Sequence, residues 1–354
     1  MLGRPATSAC RNATTGRRRK MSSAEKGIRQ HQGAPARVTA NDVAREAGVS
    51  RTTVSFVLND RPNHSIPEQT RARVLEAASS LGYIPSRAGQ ALRRGHSDAV
   101  LLLIPDGPPI SVLAGEGIDL LTQQLRLHGL DVITRRTQQG QPLAALWQDL
   151  APAAVVGWGL EEVELTRIRQ AGIPTAALDA RPFGEAAGEL QVRYLAAAGH
   201  RHLAYVTSND DRFEDYLTPR LDGARRACRE LGLDLPYLIT VDLDAAGGAE
   251  AISRCHEHQP RISGVCTYND DYAFAVLAGL HALGLTAPAD LAVIGVDDIP
   301  LASLAIPPLT TVNPNAHLLW HYLAETVVGI IAGRGPTPPA PGPEIVTVTS
   351  RESV

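Results

Sequence analysis

No apolar run in this 354-residue chain approaches the ~18 residues that a membrane-spanning helix needs, so no span is expected. The opening stretch, MLGRPATSACRNATTGRRRK, has basic residues but no apolar segment of the kind a secretory signal requires. Cysteine is scarce: Cys10, Cys228, Cys255 and Cys266 show no C-x-x-C spacing and no metal-like company of histidines. Reduced thiols and a cytoplasmic location are therefore expected, with no metal and no cofactor. Catalytic signatures are missing as well. The chain has no G-x-S-x-G elbow, P-loop or H-E-x-x-H, and its eleven histidines are scattered, so an enzyme is not expected.

What is present is divided unevenly. Residues 1–96 hold 17 Lys/Arg against 6 Asp/Glu, while the remaining 258 residues hold 17 against 31. A basic head on an acidic body fits a polyanion-binding module joined to an unrelated domain, and the length alone favours two or three domains. Residues 1–36, Ser/Thr/Gly-rich and without periodicity, read as a disordered basic tail.

From Val38 a helical pattern begins. In TANDVAREAG the residues Thr39, Asn41 and Asp42 are candidate caps, and Val43, Ala44 and Ala47 follow at helical spacing. Gly48 stops that helix, Val49 plugs the turn, and Ser50 caps a second helix whose Val54, Val57 and Leu58 form one stripe. Thr52, Ser55, Phe56 and Asn59 then point away from the stripe, with Arg51 on the exposed first turn. A third helix follows in PEQTRARVLEAASSLG, with Val74, Ala77, Ala78 and Leu81 on one face and Gly82 as its stop. A short polar second helix suits the major groove of DNA. Phe56 either rests on thymine methyl groups there or packs on a neighbouring segment of its own domain.

YIPSRAGQALRRGHS links this head, residues 37–85, to the body. Pro85 bars helix before it, and within the hinge, 86–96, the caps Ser86 and Gly95 enclose a helix of under ten residues that Gly89 weakens further. Such a helix is frayed unless a partner orders it; the plain alternative is a flexible linker.

After His96, apolar strands alternate with helix-length segments. The strand candidates span 99–104, 130–134, 153–157, 174–178, 202–206, 237–241, 262–266, 291–295, 309–312 and 344–348. The alternation argues for an α/β body of doubly wound parallel sheets with a ligand crevice at the carboxyl ends of the strands. The residues just past those ends include Asp106, Asp179, Asn209, Asn269 with Asp270, and Asp297 with Asp298. Each alone is a plausible helix cap. Together they suit a polyhydroxylated ligand.

VTANDVAREAGVSRTTVSFVLN, RARVLEAASSLGYIPSRAGQALRRG and GVDDIPLASLAIPPLTTV resemble the LacI/GalR transcriptional regulators, and the resemblance runs from about Val38 to the end. It implies a helix-turn-helix head, a hinge helix and a two-lobed, periplasmic-binding-protein-like effector domain over 97–354. Lobe 1 would comprise about 97–187 and 314–334, and lobe 2 about 188–313 and 335–354, with crossings near 186–190, 312–316 and 335–343. By the same resemblance Arg51, Thr52 and Phe56 face the bases, while Thr39, Ser50, Thr53, Ser55 and Asn59 contribute phosphate or mixed contacts. Arg87 neutralises phosphate and Leu92 wedges into the minor groove beside its counterpart in a second subunit. Asp179, Arg220, Asn269 and Asp297 match effector-contacting positions, and Asp106 joins them from the strand-end set.

Three departures stand out. Phe56 replaces an arginine common in the family. GPPISVL after PD lacks the family's aromatic pair, which leaves Tyr268, Phe213 and Tyr216 as candidates for ring stacking. The stretch after Asp179 is about a dozen residues short, as though one strand were missing. The expectation is a homodimeric repressor on a pseudo-palindromic double-stranded operator, controlled by a small-molecule effector such as a sugar. A solute-binding protein without a regulatory role is the alternative, but it would need a signal peptide and has no use for residues 37–95.

Overall fold

The computed structural model describes residues 38–58, 66–84, 91, 95–104, 106–107, 109–137, 147, 150–160, 162–334 and 339–354. The basic tail, Asn59, Arg87 and Leu92 lie outside these residues. The chain divides into two units, Met1–Pro85 and Ser86–Val354.

The first unit is built on local punctuation. Helix α1 (Ala40–Ala47) starts where the Asp42 carboxylate accepts from both the backbone N–H and the hydroxyl of Thr39, at 2.9 and 2.7 Å. Those hydrogen bonds hold the Asp42 carboxyl below its ordinary range. Gly48, at φ 65°, ends α1, and the Val49 N–H donates back to Ala44 O. Helix α2 (Arg51–Leu58) is capped by Ser50, whose hydroxyl accepts the Thr53 N–H at 3.0 Å. With α3 (Glu68–Ser80) it closes a small core of Val43, Val54, Val57, Val74, Ala77 and their neighbours.

In the second unit, strand β1 (Ala99–Ile104) pairs in parallel with β2 (Asp131–Arg136) and β3 (Ala154–Trp158), and β4 (Thr175–Leu178) pairs with β3. The order of this first sheet is β2-β1-β3-β4. Helices α4 (Val112–Arg126) and α5 (Glu162–Gln170) belong to this lobe. The chain then passes from β4 into α6 (Arg181–Ala197) through only Asp179 and Ala180. The first crossing thus comes several residues before 186–190, because Arg181-Pro182 already starts a helix that packs on the other lobe. Nothing intervenes that could form the strand the sequence looked to be missing.

The second sheet runs β10-β9-β8-β7-β5-β6, formed by β5 (Leu203–Thr207), β6 (Tyr237–Thr240), β7 (Gly264–Thr267), β8 (Ala292–Val296), β9 (Thr310–Asn313) and β10 (Thr347–Thr349). Its pairings are parallel except β9 with β10, which is antiparallel. Helices α7 (Glu214–Leu231), α8 (Ala245–His258) and α9 (Asp270–Ala282) belong to it, whereas α10 (Ala316–Ile331) returns to lie against α4, β3 and β4. Among the described residues no helix is long and apolar enough to cross a membrane.

Two helix pairs touch backbone to backbone. A Cβ placed on Gly188 of α6 would lie 1.7 Å from the Arg220 carbonyl oxygen of α7, and one on Gly223 would lie 1.9 Å from Glu185 O. Gly248 and Gly279 make the same kind of approach between α8 and α9. Only glycine permits this, and it fixes where α7 carries its side chains. Gln191, fully buried on α6, donates its amide to the carbonyls of Thr267, Ile294 and Gly295 at 2.9–3.2 Å, tying the helix to β7 and β8.

Candidate functional site

On α2, Arg51 and Thr52 are exposed, and Thr53, Ser55 and Phe56 are half-buried. Buried Val54 and Val57 face the core, so Thr52 and Phe56 lie on the opposite side of the helix. Phe56 is thus less open than its position in the sequence promised. Thr39 and Ser50 stand at the starts of α1 and α2 as caps. In the second unit, the Gly95 N–H donates to Ala91 O at 2.8 Å, and Gly95 has φ 83°.

The carboxyl ends of β7 and β8 gather Arg220, Tyr268, Asn269 and Asp297. Arg220 reaches from α7 to donate to Asp297 Oδ1 at 2.9 Å and to the Tyr268 carbonyl, and its guanidinium carbon sits 4.9 Å from the Tyr268 ring centroid. The ion pair is largely withdrawn from water, with side-chain exposures of 16% for Arg220 and 7% for Asp297. Asp297 and Asp298 both have positive φ, 115° and 52°, a conformation that costs about 1–3 kcal/mol per residue and clusters at ligand clamps. As expected of sequence neighbours at a strand end, they diverge. Asp298 accepts from Asn313, Thr349 and Arg351 at 2.6–3.0 Å, holding β9 and the carboxyl-terminal segment together. Asn269 caps α9 through Tyr272 N at 3.2 Å. Tyr268, Phe213 and Tyr272 pack edge to face at 5.3–6.2 Å, and burial pushes the Tyr268 phenol well up.

Across a narrow slit, Ser111 and Val112 at the start of α4 face Asn269, Asp271, Asp297 and Ile299. Of the residues expected to bind a ligand, Arg220, Asn269 and Asp297 therefore come together. Asp106 and Asp179 do not line this slit; both are exposed at the carboxyl ends of β1 and β4. Asp179 caps the start of α6, accepting from Arg181 N at 2.9 Å. Asp106 lies within electrostatic reach of Arg212, which Asp210 holds at 2.6–3.0 Å. Ser111 and Val112 belong to the GPPISVL stretch, where the resemblance places an aromatic pair; their own side chains did not mark them, and the fold brings them to the slit.

Asp270 is the buried carboxylate beneath the slit, at 1% exposure. It accepts from Ile299 N at 3.0 Å and Thr311 Oγ1 at 2.5 Å. Burial, offset in part by the Thr311 hydrogen bond, pushes it up to about 7. A carboxyl whose folded value lies above its unfolded value binds its proton more tightly in the folded state. Its contribution to stability is full below the unfolded value near 4 and is lost as pH rises toward 7, at up to about 1.4 kcal/mol per pH unit. Asp270→Asn keeps the acceptor for Ile299 and donates to Thr311. Urea denaturation between pH 4 and 8 should show a flatter stability curve for this variant; an unchanged slope would remove Asp270 as the cause.

Comparison with known proteins gives the following. The family model for bacterial regulatory proteins, lacI family, matches residues 39–86, and that for the periplasmic binding protein-like domain matches residues 192–354. The ribose operon repressor of Escherichia coli (strain K12) is 32% identical over 296 residues, covering 78% of this chain and 87% of its own. The HTH-type transcriptional regulator GntR of Pseudomonas aeruginosa is 29% identical over 317 residues, covering 84% and 90%. Among solved structures, the lac repressor dimer bound to operator and the anti-inducer ONPF superposes with a TM-score of 0.73 at 22% identity, covering 90% of this chain and 99% of that one.

Proposed function

Given that this chain belongs to the lacI family of bacterial regulatory proteins, we propose that it represses transcription by laying α2 in the major groove of an operator. The observation that carries this reading is the division of α2 itself: Val54 and Val57 are buried, while Arg51 and Thr52 at its amino end stay exposed. Arg51, Thr52 and Phe56 read base edges, with Phe56 presenting its accessible edge to thymine methyls. Thr39, Ser50, Thr53, Ser55 and Asn59 fix the register on the backbone. In the segment between head and body, Leu92 wedges into the minor groove and Arg87 neutralises phosphate. Selection of bound fragments from a bacterial genome tests the reading. Recovery of a pseudo-palindromic site, bound with steep salt dependence, supports it; binding no tighter than to random duplex defeats it.

The ligand of the slit is a small, uncharged polyhydroxylated molecule. Arg220 is already neutralised by Asp297, and Asp271 adds negative charge, so among the described residues lining the slit an anion finds no free cation. The amide of Asn269 and the carboxylates suit hydroxyls, which both donate and accept. The name of the ribose operon repressor, and a solved complex of the regulator CelR with cellobiose, point the same way. Asp106 and Asp179 approach the ligand from the first lobe. The slit is too narrow to hold a ligand as it stands, so binding parts the lobes and reclosure grips what has entered.

The dimer forms through an apolar face of the second lobe. Leu301, Leu304 and Ile306 project at 56, 73 and 93% exposure beside Phe274 and Leu277, and a second copy of the same face covers them across a two-fold axis. Replacing Leu304 and Ile306 together with glutamate is expected to give a monomer by analytical ultracentrifugation, with operator affinity reduced by orders of magnitude. A dimer that persists would place the interface elsewhere.

A further inference from the structure

We propose that Trp158, backed by Trp320, is a stacking platform in the first lobe for the ring of an uncharged sugar; this rests on the ligand reading above. Trp158 is the last residue of β3, and in the sheet order β2-β1-β3-β4 that strand lies between β1 and β4. Its register partner is Leu178, the residue before Asp179, and Asp106 follows β1 on the other side. Trp158 therefore ends a strand at the carboxyl edge of the sheet, flanked by the strands that precede two exposed carboxylates. A flat apolar face flanked by carboxylates is the chemistry that takes a sugar: C–H groups lie on the ring while hydroxyls donate to the acids at its rim.

The pair is set rigidly. The two indoles are parallel within 3° at a centroid distance of 4.6 Å, and Trp320 is 2% exposed. Trp320 covers one face of Trp158, which packs at the margin of the core yet remains only half-buried, so part of the indole stays open to solvent or a ligand. Space for this arrangement comes from Gly117 on α4. A Cβ there would lie 1.9 Å from Trp320 Nε1, so any larger residue would expel the ring. Gly117 follows, on the same helix, the Ser111 and Val112 that line the slit. The first lobe lacks the aromatic pair expected after PD, and the Trp158–Trp320 stack supplies an aromatic surface on that same lobe from residues far apart in sequence.

The chain has three tryptophans, so Trp147→Phe leaves only the stacked pair to fluoresce. In that full-length protein, D-ribose, D-glucose, D-galactose, cellobiose and, as an anionic control, glucose 6-phosphate are titrated against tryptophan emission, acrylamide quenching and operator binding. At least one neutral sugar should shift the emission and protect the pair from quencher. Trp158→Leu should weaken that sugar about tenfold or more, while Trp158→Phe recovers most of the affinity. The proposal is overturned if a sugar alters operator affinity but leaves the emission unchanged, if Trp158→Leu binds it undiminished, or if only the phosphorylated sugar binds. Should Trp158→Leu fail to fold, the emission and quenching of the Trp147→Phe protein decide alone. Operator binding without any added sugar reports separately on the regulator reading, which fails only if that binding shows no sequence preference.

Discussion

Arg220→Met is expected to cost the folded protein about 3–5 kcal/mol near neutral pH and to abolish its response to ligand. Methionine keeps most of the aliphatic volume but removes the guanidinium, leaving the Asp297 carboxylate at 7% exposure without a cation. The Tyr268 carbonyl loses a donor at the same time, and the Tyr268 ring loses its cation. The penalty has a signature. Without Arg220 the folded-state Asp297 holds its proton well above the unfolded value, so the cost is present at high pH and fades as pH falls and the carboxyl is neutralised. Adding Asp297→Asn removes the unpaired charge and should recover most of the lost stability without restoring the ligand response, which also needs the guanidinium. Urea melts of the single and double variants at pH 5 and 8 check both halves. A single variant as stable as the parent at pH 8 would show that the pair is not energetically coupled.

Gly188→Ala is expected to be nearly as damaging, though it touches no ligand. Its methyl would sit 1.7 Å from the Arg220 carbonyl and 3.0 Å from Ala224 N, so α6 and α7 must separate by more than an ångström. Overpacking of this kind costs about 1–3 kcal/mol, and here the yielding atoms are backbone rather than a flexible side chain. Because the displaced residue is Arg220 itself, ligand affinity should fall together with stability. Gly115→Ala is the control. It is also helical, its Cβ would meet nothing within 4 Å, and the change should stabilise by about 0.4–1 kcal/mol through the unfolded chain. Thermal unfolding and sugar titration of the two variants separate the close approach from the mere loss of a glycine.

Much of the fold was legible because the signals were local. Short apolar runs marked most strands among the described residues to within a few residues, and the caps at Thr39 and Ser50 with the stop at Gly48 bounded the head helices. Less local features escaped. The 344–348 segment divides into a 3-10 turn at Pro343–Ile345 and an antiparallel strand, a choice set by pairing with β9 rather than by its own residues. Phe56, placed by periodicity on the open side of α2, is half-buried, because periodicity assigns a face and not what lies over it. Asn269 and Asp297 were legible as residues just past strand ends, whereas Arg220, on a helix, came from family resemblance alone. Gly117, Trp158 and Trp320 are far apart in sequence, and each alone looks ordinary. Only the packing of α10 against both α4 and β3 brings them together.

The two-residue crossing at Asp179 and Ala180 has a mechanical consequence. A tether this short can absorb lobe rotation only through the backbone torsions of those two residues and the first turn of α6, which Asp179 itself caps. A ligand that drew the Asp179 carboxylate away from Arg181 N would loosen the pivot about which the lobes turn. Recognition and swing would then share one side chain, and changing what the protein senses would also change how far it moves.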